Sequence, residues 1–331
     1  MTLWLLRIEP YEMRYSDQFL GWFTHECRIY DIEYKVIGGE VRSGHGEVST
    51  GQFLDAYATN YYKMTQMATV VKLMHQGDIK HGDKIFFFDL WHTGIMAIPY
   101  ITAMTGQKID IYGMMHAGTY DKTDYTNQMG MDSWARGFEY SIAAVAKRIF
   151  VGSNYHAEII KELGGKVKMT GFPMYATDVD RITVKKPQVI FTGRMSTEKN
   201  LHAYKYIRDE VLRRFPKAHF VNTHKNRLTK DEYYELLEES KVVLSTADHE
   251  LFGIGVIEGM LRDCMPVVPN KLSYLDYVPK GQRYETWDEA IDMIVKELGQ
   301  GERVPHKNWH HYVKKYEYSI QAMLLDMGYA I

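Results

Sequence analysis

The chain of 331 residues is 45% hydrophobic and 25% charged, the balance of an ordinary globular protein, which excludes a disordered or low-complexity chain. This length is too great for one small module and predicts two domains, at about 100–200 residues each. Forty basic and forty-two acidic side chains give a net charge of −2, so overall charge does not indicate binding to nucleic acid or a membrane.

The sequence does not predict a membrane span or a secretory leader. The longest apolar stretch, 90–106, contains a histidine and a proline and is shorter than the roughly 20 residues of a spanning helix. The first residues reach a charge too early for the core of a signal peptide. Two cysteines, Cys27 and Cys264, are too few for a disulfide framework. We therefore expect a cytoplasmic protein, in the host cytoplasm if the source is a virus.

Short apolar runs alternate with longer amphipathic stretches in the first half of the chain. Such alternation predicts βαβ units and a parallel sheet. The predicted strands are 3–8, 32–37, 85–90, 109–115, 148–151 and 166–169. The predicted helices are 17–27, 50–76, 94–104, 131–147 and 153–163, the last with Ser153 or Asn154 as its N-cap.

Residues 171–187 show no clear periodicity and predict an interdomain linker. The alternation then restarts. Its predicted strands are 189–192, 219–221, 242–245 and 265–268, and its predicted helices are 199–214, 230–240, 255–262 and 287–298. The sequence thus predicts an α/β protein with two tandem doubly wound domains, 1–172 and 173–305, and a C-terminal helix in 306–331 that packs back toward the N-terminal domain.

The stretch 189–200, Val-Ile-Phe-Thr-Gly-Arg-Met-Ser-Thr-Glu-Lys-Asn, places two cations at the mouth of a helix. Gly193 ends a buried strand, Arg194 follows it, and Lys199 comes five residues after Arg194. Ligands bind beyond the carboxyl ends of parallel strands and helix N-termini attract phosphate, so the pattern is typical of a diphosphate site. A glycine turn with two solvated charges is the alternative. The stretch is neither a P-loop nor a Gly-x-Gly-x-x-Gly fingerprint, so ATP hydrolysis and hydride transfer are not indicated.

A second strand end, about fifty residues further on, carries two carboxylates. Glu250 lies in the loop, and Glu258 follows eight positions later, about one turn into the next helix. Gly253 and Gly255 lie between them and leave the first backbone N–H groups of that helix bare. The two carboxylates can reach opposite ends of one ligand, for example a sugar and a ribose. Such a pair alone is common by chance, but together with the first motif, at the equivalent strand end of the same domain, it is a strong signal of a ligand site.

In these motifs the chain resembles a retaining glycosyltransferase of the two-Rossmann (GT-B) type with a Glu-x7-Glu signature. The resemblance covers about 149–298. Within that group, 244–253 and 269–274 are similar to the branch that mannosylates queuosine in tRNA, although Leu251 stands where that branch has phenylalanine. The N-terminal half matches loosely, at 8–10, His116 and Trp134.

The resemblance implies a nucleoside-diphosphate sugar, most commonly a UDP-sugar, bound in a cleft between the two domains without a metal or other cofactor. Arg194 and Lys199 would neutralise the diphosphate leaving group, which would be the main catalytic effect. Glu250 would bind hydroxyls of the donor sugar, and Glu258 those of the ribose. The other donor-side residues that it implies are Gly193, the backbone at Phe252, Gly253 and Ile254, His116 against the sugar and Gly39 near the diphosphate. A core histidine and a plain turn are the alternatives for the last two.

Acidic and histidine side chains at strand ends of the N-terminal half are candidates for the acceptor side. They are Asp89, His92 and Glu40. Helix capping by the segment that carries Asp89 and His92 is the alternative. The one Asp-x-Asp of the sequence, Asp178 and Asp180, falls in the predicted linker and does not indicate a metal site.

Three basic clusters are candidates for contact with a phosphate backbone. They are Arg213, Arg214 and Lys217; His224, Lys225, Arg227 and Lys230; and Arg303, His306, Lys307, His310, His311, Lys314 and Lys315. Trp309, Tyr312 and Tyr316 interleave with the last cluster, and bases stack on such side chains. Solvated helix faces are the alternative.

These features favour transfer of the sugar to a hydroxyl on a modified base in nucleic acid. Hydroxymethylcytosine-type phage DNA is slightly favoured over tRNA queuosine as the acceptor. Transfer to a small molecule, lipid or polysaccharide is the alternative within the same chemistry. A non-catalytic module that binds a nucleotide sugar is the alternative from another class. The sequence does not indicate the oligomeric state.

Overall fold

A computed structural model of the chain describes residues 1–10, 15–41, 55–175, 184–223, 228–301 and 308–331. The described chain forms two compact units, one of Met1–Pro173 with Ser319–Ile331 and the other of Met174–Tyr318. Each unit is built on a parallel β-sheet whose strands alternate with helices along the chain. This is the predicted α/β architecture.

The first unit has a six-stranded sheet. Its strands are β1 (Leu3–Leu6), β2 (Tyr34–Ile37), β3 (Lys84–Phe87), β4 (Asp110–Met114), β5 (Ala146–Val151) and β6 (Val167–Met169). Its helices up to β6 are α1 (Tyr15–Ile29), α2 (Ala56–Gln76), α3 (Ala97–Thr105), α4 (Tyr125–Gln128), α5 (Asp132–Val145) and α6 (Asn154–Ile159). The strand order is β2-β1-β3-β4-β5-β6, and all pairs are parallel. The order therefore reverses between β1 and β3, where a doubly wound sheet opens a crevice for ligands.

The second unit has a five-stranded sheet. Its strands are β7 (Lys186–Phe191), β8 (His219–Asn222), β9 (Ser240–Leu244), β10 (Met265–Pro269) and β11 (Arg283–Tyr284). Its helices are α7 (Leu201–Arg214), α8 (Lys230–Glu239), α9 (Ile254–Leu261), α10 (Trp287–Gly299) and α11 (His310–Val313). The order β11-β10-β9-β7-β8 is again parallel, and it reverses between β7 and β9.

The last helix of the chain, α12 (Ser319–Asp326), belongs to the first unit. It contacts α1, and its Asp326 carboxylate accepts from Arg148 Nε at 2.6 Å and from Lys168 Nζ at 2.7 Å. Helix α11 belongs to the second unit. The chain therefore passes from one unit to the other between Tyr318 and Ser319, inside the segment that the sequence analysis treated as one C-terminal helix.

The predicted linker 171–187 is wrong at its C-terminal end. Lys186 and Pro187 begin β7, and Lys185 is buried, where its Nζ donates to the carbonyl oxygens of Leu237 at 3.1 Å and Arg262 at 2.5 Å. The sequence does not distinguish a buried lysine that donates to backbone carbonyls from a solvated one. The run of two lysines and a proline was therefore not recognised as the start of a strand. Residues 176–183, which include Asp178 and Asp180, lie outside the described residues.

Side-chain caps mark the observed starts of α7, α2 and α6. Helix α7 begins at Leu201 and not at 199, because Thr197–Lys199 form a 3-10 turn and Asn200 adopts a left-handed conformation with φ of 50°. The Asn200 side chain then accepts from the Ala203 N–H as N-cap. Helix α2 begins after Asp55, whose carboxylate caps it, while the predicted start, 50–54, lies outside the described residues. The predicted cap of α6 at Ser153 is confirmed.

Both cysteines are free and buried, and we expect neither to react in the native protein. Burial raises the pKa of Cys27 to about 12 and also raises the pKa of Cys264. Alkylation requires the thiolate, so iodoacetamide at pH 8 should leave the folded chain unlabelled and label both cysteines in urea. Intact-mass spectrometry measures the difference. Rapid labelling of the native protein would contradict the packing around these thiols.

Candidate functional site

The loops that follow β7 and β9 meet at the point where the strand order of the second sheet reverses. Phe191 on β7 pairs in register with Leu244 on β9, so the two strands end side by side. The Glu198 carbonyl oxygen accepts from the backbone N–H groups of Asp248 at 2.9 Å and His249 at 3.2 Å. The two sequence motifs are therefore hydrogen-bonded to each other at the position where such sheets bind ligands.

Lys199 and Glu250 form the central ion pair of this site. The Lys199 ammonium donates to Glu250 Oε2 at 3.0 Å and to the His249 carbonyl oxygen at 2.9 Å. The Lys199 side chain is 10% exposed and that of Glu250 is 25% exposed. The structure thus places a cation and a carboxylate from the two predicted motifs together in a largely enclosed position.

The backbone at the start of α9 completes the surroundings of Glu250. The Gly253 N–H donates to Glu250 Oε1 at 3.0 Å, so the carboxylate is also held by the residue that precedes the helix. Gly253 has φ of +88°, and a Cβ there would lie 2.3 Å from Tyr277 Oη, while a Cβ on Gly255 would lie 2.4 Å from Thr192 Oγ1. Close packing therefore requires glycine at both positions. Any contact of these two residues with a ligand would be made by their backbone.

The environment of Glu250 keeps its carboxylate ionised. Burial acts to raise the pKa of Glu250, but the Lys199 ammonium outweighs burial and the pKa is lowered overall. A lowered folded-state pKa stabilises the fold above the unfolded value of about 4.3, and this contribution is lost as the pH falls through the folded value. We therefore expect the difference in unfolding free energy between wild type and Glu250→Gln to stay constant from pH 8 to pH 5 and to shrink below about pH 4. Urea titrations across this range measure it, and a midpoint near pH 6 would contradict the ion pair.

Arg194 lies at the rim of the same loop. Its guanidinium is 3.3 Å from Glu198 Oε1, and its side chain is 43% exposed. Arg194 directly follows Gly193 and precedes the 3-10 turn that contains Lys199. A Cβ on Gly193 would come within 2.9 Å of the Phe191 ring. The loop therefore carries one enclosed cation and one accessible cation. The predicted role of Phe252 and Ile254 concerns their backbone: the Phe252 side chain is buried against Tyr316 with ring centroids 4.9 Å apart, and Ile254 begins α9.

Glu258 lies on α9 in contact with α8, and its side chain is 6% exposed. In the part of the chain that the structure describes, three donors reach its carboxylate: Lys230 Nζ at 2.7 Å, Tyr233 Oη at 2.8 Å and Tyr234 Oη at 3.3 Å. The sequence analysis assigned Lys230 to a basic cluster facing phosphate, and the structure instead pairs it with Glu258. The sequence signal for this pairing was that Lys230 begins the helix that precedes the strand and helix leading to Glu258.

In the first unit, Asp89 and His116 lie near the strand ends of β3 and β4. Lys63 on α2 donates to Asp89 Oδ2 at 2.9 Å and to the Trp91 carbonyl oxygen at 2.5 Å. Burial acts to raise the pKa of Asp89, but the Lys63 ammonium outweighs burial and the pKa is lowered overall. Sequence reasoning missed Lys63, which has the pattern of a solvated helix residue.

The His116 ring is neutral and fixed. Its Nε2 lies 2.6 Å from the Phe88 carbonyl oxygen, which can only accept, so Nε2 carries the proton and Nδ1 is the acceptor. Burial lowers the pKa of His116, and the Asp89 carboxylate offsets part of that effect. The ring also stacks on Phe172 with centroids 4.9 Å apart. Both the predicted sugar contact and the core-histidine alternative are compatible with this geometry.

The remaining predicted residues of the first unit are tied to α2. His92 is buried, where Nε2 lies 3.2 Å from Gln66 Oε1 and Nδ1 accepts from the Gly94 N–H at 3.1 Å. Burial lowers the pKa of His92 to about 3, so this ring is a neutral part of the core. Glu40 accepts from Tyr61 Oη at 2.5 Å. A Cβ on Gly39 would lie 2.0 Å from the Tyr62 carbonyl oxygen, so packing against α2 already requires glycine there.

A buried glutamate that the sequence analysis did not single out fixes the loop after β4. Glu139 on α5 accepts from Thr119 N at 2.7 Å, from Thr119 Oγ1 at 2.8 Å and from Trp91 Nε1 at 2.9 Å. It thereby connects the loops that follow β3 and β4. Trp91 in turn packs edge-on against the exposed Trp134, with ring centroids 6.1 Å apart.

The structure weakens the evidence for an extended phosphate-binding surface. Arg213 pairs with Glu210 at 2.8 Å and Arg214 with Asp292 at 2.6 Å. Tyr316, predicted as a stacking platform, is buried in the core and cannot offer its face to a base. Trp309 and Tyr312 remain stacked, with centroids 6.4 Å apart. The basic residues at 224–227 and 302–307 lie outside the described residues.

The described residues contain no group of three or more His, Cys, Asp or Glu side chains placed to hold a metal ion. Within the same ranges, no helix combines the length and apolarity needed to cross a bilayer.

Solved glycosyltransferases of the GT-B type have the same architecture. The E. coli structure described as trehalose-6-phosphate bound with UDP-2-fluoro glucose superposes with a TM-score of 0.65 at 9% identity, over 100% of both chains. The sucrose-phosphate synthase of Thermosynechococcus elongatus has a TM-score of 0.62 at 12% identity, over 99% of this chain and 97% of that one. A S. aureus TarM mutant in complex with fondaparinux, alpha-GlcNAc-glycerol and UDP has a TM-score of 0.54 at 13% identity, over 91% of this chain and 63% of that one. The chain has the GT-B fold.

Two named proteins share shorter stretches of sequence with the chain. The tRNA-queuosine alpha-mannosyltransferase of Drosophila melanogaster is 42% identical over 59 residues, which are 18% of this chain and 16% of the relative. The GDP-Man:Man(3)GlcNAc(2)-PP-Dol alpha-1,2-mannosyltransferase of Candida albicans is 33% identical over 113 residues, 34% of this chain and 17% of the relative. The matches therefore span about one sixth of each relative's length. No family model matches the chain.

Proposed function

We propose that the protein is a retaining glycosyltransferase that moves a sugar from a nucleoside-diphosphate sugar, in first place a UDP-sugar, to a hydroxyl on a modified base in nucleic acid. The observation that carries the proposal is the Lys199–Glu250 ion pair, 3.0 Å long, at the crevice of the second sheet. A nucleotide sugar presents two anionic phosphates and a set of sugar hydroxyls. A cation beside a carboxylate matches these two requirements.

In the proposed reaction, the enclosed Lys199 and the accessible Arg194 neutralise charge on the departing diphosphate. Such fixed cations act most strongly where charge develops in the transition state. Glu250, held by Lys199 and the Gly253 N–H, accepts from hydroxyls of the donor sugar. The acceptor hydroxyl attacks the face from which the diphosphate leaves, and a phosphate oxygen takes its proton. Charge neutralisation by these side chains makes the proposed reaction independent of a metal.

Two observations support roles for the first unit. The Asp89 carboxylate is ionised and oriented by Lys63, which suits it to accept from an incoming hydroxyl. The His116 ring is neutral, with Nδ1 as its acceptor, and suits a sugar hydroxyl. We propose Asp89 for the acceptor and His116 for the sugar, and His92 has no part in this proposal.

A nucleic-acid acceptor is supported by the sequence shared with a tRNA-queuosine mannosyltransferase. Hydroxymethylcytosine in DNA and queuosine in tRNA are the two acceptors that we propose. A glycan or lipid-linked acceptor is the second candidate, because a mannosyltransferase named for a dolichol-linked oligosaccharide matches a longer stretch and because Arg213 and Arg214 are neutralised by acids.

The test presents the purified protein with UDP-glucose, UDP-N-acetylglucosamine and GDP-mannose, each with hydroxymethylcytosine DNA, unmodified DNA or bulk tRNA. Nucleosides from each digest are then weighed by mass spectrometry, with Glu250→Ala as the inactive control. A sugar increment on one hydroxyl-bearing nucleoside is the expected result. Donor hydrolysis without any increment would contradict the nucleic-acid acceptor and favour the glycan. Failure to bind UDP or GDP would contradict the donor site itself.

A further inference from the structure

A cluster of charged and aromatic side chains surrounds Glu258 between α8 and α9. Lys230 Nζ lies 5.1 Å from the ring centroid of Tyr233 and 4.8 Å from that of Tyr234. The Arg262 guanidinium lies 3.5 Å from the Tyr234 centroid. Lys230 and the two tyrosines thus surround one carboxylate, and Arg262 packs on one of the two rings, in the unit that the proposal assigns to the donor.

The Glu258 carboxylate can accept hydrogen bonds from a ligand while it keeps its hydrogen bond from Lys230. A carboxylate has about four acceptor positions, and Lys230, Tyr233 and Tyr234 occupy three of them. Within the described ranges, which omit 224–227, one position remains on Oε2. The contact from Tyr234 is the longest of the three, at 3.3 Å, and is the easiest to exchange for a ligand hydroxyl. A pair of adjacent hydroxyls, such as those of a ribose, can therefore bind while the ion pair stays in place.

The Lys230 ammonium is the cation that offsets the burial of the Glu258 carboxylate. A carboxylate that is 6% exposed is costly to ionise unless a cation compensates it. Lys230 forms the nearest cationic contact in the described structure, at 2.7 Å, and its own side chain is 27% exposed. Only an ionised carboxylate accepts on both oxygens, and that is the state that binds a diol best.

We infer that Lys230 is a positioning residue of the donor site, which holds the Glu258 carboxylate in the orientation that binds the ribose of the nucleotide sugar. The inference rests on the proposed function. It adds to the site a residue that acts through Glu258 and has no contact with the phosphates.

Calorimetric titration with UDP, with GDP and with inorganic pyrophosphate tests this role, because pyrophosphate lacks the ribose. The proteins compared are wild type, Lys230→Met, Glu258→Gln and the double variant, with Lys296→Met, an exposed lysine on α10, as a matched control. For the tighter nucleotide, each single variant should weaken binding about tenfold, and the double variant should bind no more weakly than Glu258→Gln alone. Pyrophosphate affinity should be the same in all of them. Lys230→Arg keeps the charge and should restore binding to within about threefold of wild type.

Each other outcome overturns the inference in a distinguishable way. Additive losses in the double variant would show that Lys230 acts independently of Glu258. An equal loss of pyrophosphate affinity in Lys230→Met would indicate a phosphate contact or a general distortion, and the melting temperature separates these two. UDP or GDP binding unchanged in Lys230→Met would overturn the role of Lys230 alone. Absence of nucleotide binding in the wild type would overturn the proposed function together with this inference.

Discussion

Replacement of Lys199 by methionine is expected to lower the rate of sugar transfer by about 10²–10³-fold, the usual loss when one fixed electrostatic group is removed from an active site. Lys199 is the enclosed cation of the crevice, and it contacts Glu250 Oε2 and the His249 carbonyl oxygen. Methionine has a similar length and no charge. The variant therefore loses neutralisation of the diphosphate and, at the same time, the ion pair that orients the sugar-binding carboxylate.

The measurement is kcat for transfer, or for donor hydrolysis if transfer is slow, at saturating nucleotide sugar. Lys205→Met, on the exposed side of α7, changes the same residue type without touching the crevice and should retain wild-type turnover. Circular dichroism of both variants separates a chemical effect from unfolding. Turnover within about threefold of wild type in a folded Lys199→Met would contradict the assignment of this lysine to the reaction.

Much of the fold followed from the sequence because its strands are short apolar runs between amphipathic helices. Strand β1, Leu-Trp-Leu-Leu, is buried at every position, as a strand of a parallel sheet covered by helices must be. The ends of elements were predicted less well, since they depend on single conformations. The left-handed conformation of Asn200 places the start of α7 later than predicted. The burial of Lys185, just before β7, is not visible in the sequence.

The residues of the candidate site in the second unit could also be predicted in large part, because each of its two motifs follows a predicted strand. The sequence could not show that the sheet reverses between β7 and β9, which is what brings Lys199 to Glu250. It also could not show the partners supplied by neighbouring helices. Lys230 and Lys63 each pair with a carboxylate more than twenty positions away, at Glu258 and Asp89. Such pairs follow only from tertiary packing, so in the sequence both lysines are typical of solvated helix faces.

Replacement of Gly39 by alanine is expected to destabilise the first unit by about 2–3 kcal/mol, the range for overpacking against an unyielding neighbour. The added Cβ would lie 2.0 Å from the Tyr62 carbonyl oxygen and 2.7 Å from its carbonyl carbon. These are backbone atoms of α2, which cannot move aside as a flexible side chain would. The β2–α2 junction must therefore shift, together with the Thr65 hydroxyl that accepts from the Glu40 N–H.

Urea unfolding followed by circular dichroism measures this effect, with Gly21→Ala as the matched control. Gly21 lies inside α1, and a Cβ there would meet nothing within 4 Å, so alanine should be neutral or stabilise the helix by up to about 1 kcal/mol.

Comparison of Gly39→Ala with Gly21→Ala also distinguishes the two interpretations of Gly39, close packing and approach to the diphosphate. If packing alone requires glycine, the folded fraction of Gly39→Ala should keep the donor KM of wild type. A variant of unchanged stability with a raised donor KM would instead assign Gly39 to the diphosphate, because only a backbone that approaches the ligand would then require glycine at this position.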